Sequence, residues 1–269
     1  MELPRIELNL RDHKLSIALT WTVLFFSSGA LPVILYFALR YGTDMKIETV
    51  LGIPTAILGV VSLASLLVRS WALLKKNSAC QPLRGSRWGM DYFHWNFLIL
   101  FPVITALIAT GTAIPSVRLV AIGLPVLLVS VGAQLLIAAA LVYIRKAAPF
   151  TISSVRKSQP VRSGVYAITE DVVAVDGGKG QTFRQQLEAR YLASRTIRGL
   201  FRQLDLVWGV SAVAVGALTI GLLFGLESQE AGYVLGWMMP WVYAAAMVGV
   251  TRYMVTSALD SEEKDPTLQ

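Results

Sequence analysis

The chain has 269 residues, of which 55% are hydrophobic and only 15% charged, well below the roughly 25% charged content of soluble domains. Its net charge of +7 invites a nucleic-acid reading, but the loops are too short to build the basic, aromatic-bearing fold that such binding needs, so no nucleic-acid partner is expected. The single cysteine, Cys80, excludes an internal disulfide and a cysteine-built metal cluster.

Six runs contain no Asp, Glu, Lys or Arg: residues 15–39, 49–68, 95–117, 119–144, 206–226 and 231–251. A helix rises about 1.5 Å per residue, so about 20 such residues cover a hydrocarbon core of about 30 Å. The expected fold is all-α, one polytopic membrane domain over residues 1–269 with six transmembrane helices. The first run, at 25 residues, is too long for a signal-peptide core and reads as a signal anchor.

Taken in order, span 1 carries Ser27, Ser28 and Gly29 just before Pro32, which predicts a kink with the serines satisfying freed carbonyls. Span 2 ends near Arg69, Trp71, Lys75 and Lys76, and the next loop passes Arg84, Gly85, Arg87 and Trp88 to reach span 3. Spans 3 and 4 are joined tightly at Pro115–Arg118, which makes them an antiparallel pair. Span 5 has Gly221 and Gly225 four apart, a spacing that lets helices approach and predicts helix–helix association there. Pro240 is expected to break span 6, and the acidic tail from Asp260 to be disordered.

Charge placement predicts the orientation. With six spans, 21 of the 24 Lys and Arg fall on one side, leaving Arg40, Lys46 and Arg118 on the other. Basic residues are retained in the cytosol during insertion, so both termini and the long 145–205 loop are expected there, against an anionic leaflet. The same charge pattern fits the plasma membrane and an endomembrane alike.

The 145–205 loop carries its own pattern. Residues 165–175 alternate weakly and are β-branched around Val172 and Val173, then meet Asp176, Gly177, Gly178, Lys179 and Gly180, which predicts a short strand closing in a glycine turn. From Gln181 onward, Phe183, Leu187 and Tyr191 are spaced by four among Arg184, Arg190, Arg195, Arg198 and Arg202. That predicts a basic amphipathic helix on the cytosolic leaflet, with these arginines at the membrane interface.

Acidic residues are absent from every span interior, where proton and cation carriers usually hold an ionisable group. The deepest polar groups are Thr105, Ser130 and Gln134. Ionisable groups gather instead at the cytosolic ends of spans. Asp91, His94, Asn96, Arg69 and Asp205 form a candidate catalytic set suited to acid–base or phosphate chemistry, although helix capping explains the same residues. Glu170, Asp171 and Asp176 form a candidate Mg²⁺ set beside the glycines, without Walker-loop spacing. His13 and His94 share one interface, where a haem pair is a lesser reading than two interfacial histidines; no cofactor is named.

Four stretches carry a resemblance: Asp91-Tyr92-Phe93-His94-Trp95-Asn96-Phe97, residues 170–178, Arg190-Tyr191-x-Ala193-Ser194 and Trp208-Gly209-Val210. They resemble a group of filamentous-fungal multi-pass membrane proteins along nearly the whole chain. The resemblance implies origin and topology and supplies no catalytic residue. Three functions stay open: handling of a hydrophobic or amphipathic small molecule at the cytosolic mouth, a non-enzymatic scaffold, and a small-solute carrier.

Overall fold

The structure is a computed structural model, and it describes residues 14–76, 78–84 and 90–264. His13, Gly85, Arg87 and Trp88, named above, lie outside the described residues, as does the acidic tail beyond Lys264. The chain is all-α: α1 (Lys14–Phe25), a π-turn (Phe26–Ala30), α2 (Leu31–Gly42), α3 (Ile47–Leu74), α4 (Tyr92–Ala113), α5 (Val117–Ala121), α6 (Gly123–Tyr143), α7 (Gly164–Val175), α8 (Gly180–Ala193), α9 (Arg195–Gly225) and α10 (Gln229–Glu263). Among the described residues the only β pairing is two isolated bridges in the 145–163 segment, Ala147 with Pro160 and Ile152 with Val155. Six helical stretches are long and apolar enough to cross a membrane, from Ala18–Gly42 to Gln229–Glu263. The chain is thus built as a multi-pass membrane protein.

Two spans overshoot. At about 1.5 Å per residue, α9 (31 residues) is about 46 Å long and α10 (35 residues) about 52 Å, well beyond a core of about 30 Å. Their excess lies at the end of the bundle that carries residues 78–84 and 145–194, the basic end. There α7, α8 and the first turns of α9 bury Tyr166, Phe183, Leu187, Tyr191, Phe201 and Leu204 together. A second apolar core lies toward the opposite end, with Tyr36, Leu51, Val120, Tyr233 and Trp237.

Local sequence explains most of the breaks. Ahead of Pro32, Leu31 N–H reaches back five residues to Phe26 O, and the Ser27 and Ser28 hydroxyls both donate to Leu24 O. The serines therefore do supply the bonds that the irregular turn frees. Gly29 within it sits against Trp241, where an added Cβ would lie 2.9 Å from the indole.

Four expectations change. Residues 165–175 form helix α7, not a strand. Ser163 caps it, accepting from Tyr166 N–H at 3.3 Å, and Tyr166, Glu170, Ala174 fall on one buried face at helical spacing. Burial of that face outweighs the β preference of Val172 and Val173, a preference that depends on context. The helix stops where Gly178 takes a left-handed φ of 65°. Second, the basic stretch from Gln181 is two helices, not one: Ser194 ends α8 and caps α9, accepting from Ile197 N–H at 3.1 Å. Third, α10 runs through Pro240 without a break. Fourth, the tail is ordered as far as Glu263, because Glu262 is buried and accepts from Arg190 and Ser194 at the α8–α9 junction.

The most extensive seam joins α6 to α9. Gly132, Gly209 and Gly216 let the two backbones approach, so that an added Cβ would lie 2.8 Å from Ala212 Cβ, 2.8 Å from Leu136 Cγ and 2.6 Å from Val129 Cγ2 respectively. Small residues do this work in a bilayer, where apolar area offers no drive between helices. Gly221 and Gly225 face open space: an added Cβ at either meets nothing within 4 Å.

Gly216→Val should therefore overpack the seam and destabilise the purified protein by about 1–3 kcal/mol, seen as a lowered melting temperature in detergent. Gly221→Val, facing open space, should leave that temperature unchanged.

Candidate functional site

At the basic end, two arginines and four carboxylates are gathered from four helices. Arg69, in the last two turns of α3, donates to Asp91 Oδ2 at 2.7 Å, to Asp176 and to the Asp171 carbonyl at 3.3 Å. Its guanidinium also stacks over Phe93, 4.7 Å from the ring centroid. Arg184, on α8, donates to Asp171 Oδ1 at 2.7 Å, to Glu170 Oε1 at 3.1 Å and to Cys80 O at 3.2 Å. Asp91 Oδ2 is 3.5 Å from Arg184 as well, so one carboxylate touches both cations.

Two of the acids, Asp91 and Asp171, also hold backbone. Asp91 caps α4 by accepting from His94 N–H at 2.8 Å. Asp171 Oδ2 accepts from Phe93 N–H at 3.1 Å and from Ser153 Oγ at 2.6 Å, and Ser154 donates to Glu170. His94 Nε2 lies 3.2 Å from Ser70 Oγ, linking α4 to α3.

Charge is unbalanced inside this set: two guanidinium groups face four carboxyl groups. Burial first, then the charge of Asp91, pushes Asp171 up to about 7 despite Arg184. Burial likewise raises Glu170, against the pull of Arg184 and Ser154, and raises Asp176 against Arg69. Glu170 Oε2 has no partner among the described residues, which leaves that carboxyl poorly compensated. For Arg184 burial works the other way, but the charges of Asp171 and Glu170 prevail and hold it above its usual value.

Not every residue singled out in the sequence joins the set. Asp205 lies apart and caps α7, accepting from Ser163 Oγ and Val165 N–H, both at 2.8 Å, and from Gly164 N–H at 3.1 Å. Asn96 makes none of these contacts among the described residues. Asp91, His94, Asp171 and Arg184 are all 0% exposed, and the set meets solvent at Asp176, whose side chain is 47% exposed. Glu170 and Asp171 are taken up by Arg184 and Asp176 by Arg69, and among the described residues no three His, Cys, Asp or Glu side chains converge to hold a metal. The arrangement is a pin: it neutralises buried charge and locks helices together.

The membrane-interface arginines divide in the same way. Arg184 is inside, not on a leaflet, because α8 turns that face toward α7. Arg190 pairs with Glu262. Arg198 donates to the carbonyls of Tyr191 at 2.9 Å and Leu192 at 2.7 Å, closing the C-terminus of α8. Arg195 and Arg202 are exposed.

Beside the pin, a cavity of about 480 Å³ opens between the ends of α6, α8 and α9. Arg84, Arg145, Arg162, Arg198 and Arg202 line it, with Glu188 as its one acid, against an apolar wall that includes Val142, Val161 and Leu192. Glu188 Oε1 accepts from Arg84 at 2.6 Å and Arg162 at 2.7 Å; those bonds outweigh burial and hold the carboxyl below its usual range. No spacing in the sequence announced this site, since its arginines come from the second loop, the 145–163 segment and α9. A hint existed only in Glu188, which stands one turn after Arg184 on the helix.

A family model described as "Domain of unknown function (DUF8766)" matches residues 1–265, so the chain belongs to that family. Neither the curated proteins nor the solved structures contain a match.

Two outcomes follow from the pin. Arg184→Met leaves Asp171 and Glu170 buried without their cation and should destabilise the protein by about 3–5 kcal/mol, whereas Asp176→Asn, at a partly exposed pair, should change stability by less than about 1 kcal/mol in the same melting assay. Asp171 binds its proton more tightly folded than unfolded. Its contribution is therefore full below about pH 4 and is lost as pH rises through about 7, so detergent melting temperature should fall across that window, with a shallower slope in Asp171→Asn.

Proposed function

We propose, for a chain whose family has no assigned activity, an integral membrane protein that binds an amphipathic small molecule at the cytosolic end of its bundle. The observation that carries this is the cavity of about 480 Å³ between α6, α8 and α9, which joins arginines to an apolar wall at the level where spans end. Ligand sites are concave, mostly apolar, and fixed by a few placed polar groups, usually within about 300–1,000 Å³. Orientation rests on the split of 21 Lys and Arg against 3, which puts the basic end and both termini in the cytosol. In this reading the Asp91–Arg69–Arg184 pin is the rigid floor of the site and does no chemistry.

A scaffold role is the second reading, favoured by the open face at Gly221 and Gly225, where another helix has room to pack. A carrier has less support. Ser130 Oγ is spent on its own helix at Val126 O, 2.8 Å away, and Gln134 accepts from Tyr92 Oη at 2.7 Å.

Orientation is checked with single cysteines in a Cys80→Ser background. In sealed vesicles with the cytosolic face outward, Lys157→Cys should react with an impermeant maleimide and Glu227→Cys only after permeabilisation; the reverse pattern would overturn the topology. Binding is checked by photolabelling the purified chain with a diazirine-bearing amphiphile. Labelled peptides should concentrate in residues 142–202, and uniform labelling along the lipid-facing spans would remove the case for a site.

A further inference from the structure

The cavity's chemistry narrows what it takes. Its basic residues are all arginine, five of them, and its one acid is already committed: Glu188 shares a single oxygen between Arg84 and Arg162. Arg145 and Arg202 have no acidic partner among the described residues. The site therefore carries surplus positive charge that no group among the described residues neutralises.

The arginines are also held in place. Arg162 donates to Tyr166 Oη at 2.7 Å and lies over two rings, 5.1 Å from the Tyr166 centroid and 5.4 Å from that of Tyr191. Arg198 is fixed by the two carbonyls at the end of α8. Arg145 closes α6 in a left-handed conformation at φ 52°, where Lys146 N–H returns to Leu141 O at 2.9 Å. Glycine is the usual residue at that helix end, and a side chain there is strained. Such strain tends to be stored at functional sites, and here it puts an arginine at the rim of the cavity.

We infer that the cavity binds the phosphate group of an anionic amphiphile, with Arg145, Arg198 and Arg202 as its donors and the Val142–Val161–Leu192 wall against the adjoining apolar portion. This rests on the amphiphile reading and deepens it. A guanidinium offers a planar fork of N–H donors that matches two oxygens of a phosphate, a geometry a lysine ammonium lacks. A carboxylate, with two oxygens, is satisfied by one or two arginines, as Glu188 already is. A phosphate has oxygens enough for the remaining three. Val142 of that wall is followed along α6 by Tyr143 and Ile144, which are 87% and 62% exposed, so exposed apolar side chains stand next to the cavity in the chain. The same phosphate chemistry comes from a lipid headgroup or from free phosphate, and the apolar wall favours the headgroup.

The full chain, purified in detergent, is photolabelled with diazirine-bearing phosphatidic acid and with diacylglycerol of identical acyl chains. Phosphatidic acid should label the cavity peptides about tenfold more than diacylglycerol, the equivalent of about 1.4 kcal/mol. The Arg145→Gln/Arg202→Gln double variant should fall to the diacylglycerol level with an unchanged melting temperature, because both side chains are exposed, while Arg195→Gln, an exposed arginine outside the cavity lining, should label as the unaltered chain does. Displacement of the label by millimolar inorganic phosphate assigns the site to free phosphate; no displacement assigns it to the headgroup. Equal cavity labelling by the two lipids, full labelling of the double variant, or an equal loss in Arg195→Gln overturns the phosphate assignment and leaves amphiphile binding standing. Absence of cavity labelling by either lipid overturns the amphiphile reading itself.

Discussion

A fully buried guanidinium dictates the architecture of the basic end. Arg184 sits at 0% exposure, and an unpaired charge there would carry a desolvation penalty of several kcal/mol. It is compensated only if Asp171, Glu170, Asp91 and the Cys80 carbonyl come to it at once, from α7, the start of α4 and the segment after α3. Arg69 repeats the demand from α3 and shares Asp91. Such a network is steep: complete, it holds four helices in one register, and with one member removed it leaves an uncompensated charge. Buried polar networks of this kind specify a structure more than they stabilise it, and four acids against two arginines leave one carboxyl, Asp171, near its titration point at neutral pH.

Within the spans a different physics operates. Lipid is as apolar as leucine, so helices gain little by hiding hydrophobic area from it and associate through close van der Waals contact. Hence the seam of α6 on α9 is made of Gly132, Gly209 and Gly216, and Gly236 brings α10 equally close to Ala121. Polar groups in the spans pair across helices or fold back on their own: Tyr92 with Gln134, Trp208 Nε1 with Thr251 Oγ1 at 2.9 Å, Ser211 with Tyr243 at 2.9 Å. At the opposite end Arg118 donates to Leu226 O at 2.6 Å, satisfying a carbonyl that the end of α9 leaves open.

Pin and cavity are one construction. Arg184 and Glu188 lie one turn apart on α8, the first turned into the pin and the second toward the cavity. Ser154 donates to Glu170 through its hydroxyl and accepts from Arg84 through its carbonyl at 3.4 Å, so the same residue borders both. A site whose walls are braced in this way holds its arginines before any ligand arrives, and less conformational freedom is lost on binding.

The amino-acid sequence by itself determined the six spans, the side on which the basic residues collect, the irregular turn before Pro32 and the closeness of Asp91 to His94 and the end of span 2. Each of these follows from composition within a window of about 20 residues or from contacts a turn apart, where hydrophobicity and helix geometry decide. It misled at residues 165–175, because the cap that starts α7 is supported by Asp205, 40 residues away, and the face that keeps it helical is buried by α8. It showed Arg184 as one of a row of basic residues, since nothing local distinguishes an arginine bound for a leaflet from one bound for a core. Only the tertiary structure decided that Glu170 and Asp171 answer Arg184, that Glu262 anchors the last turn of α10, and that five arginines from separate segments share one cavity. Charge pairing between separate helices leaves no spacing to read, because it is fixed by which helices pack side by side and not by where they stand along the chain.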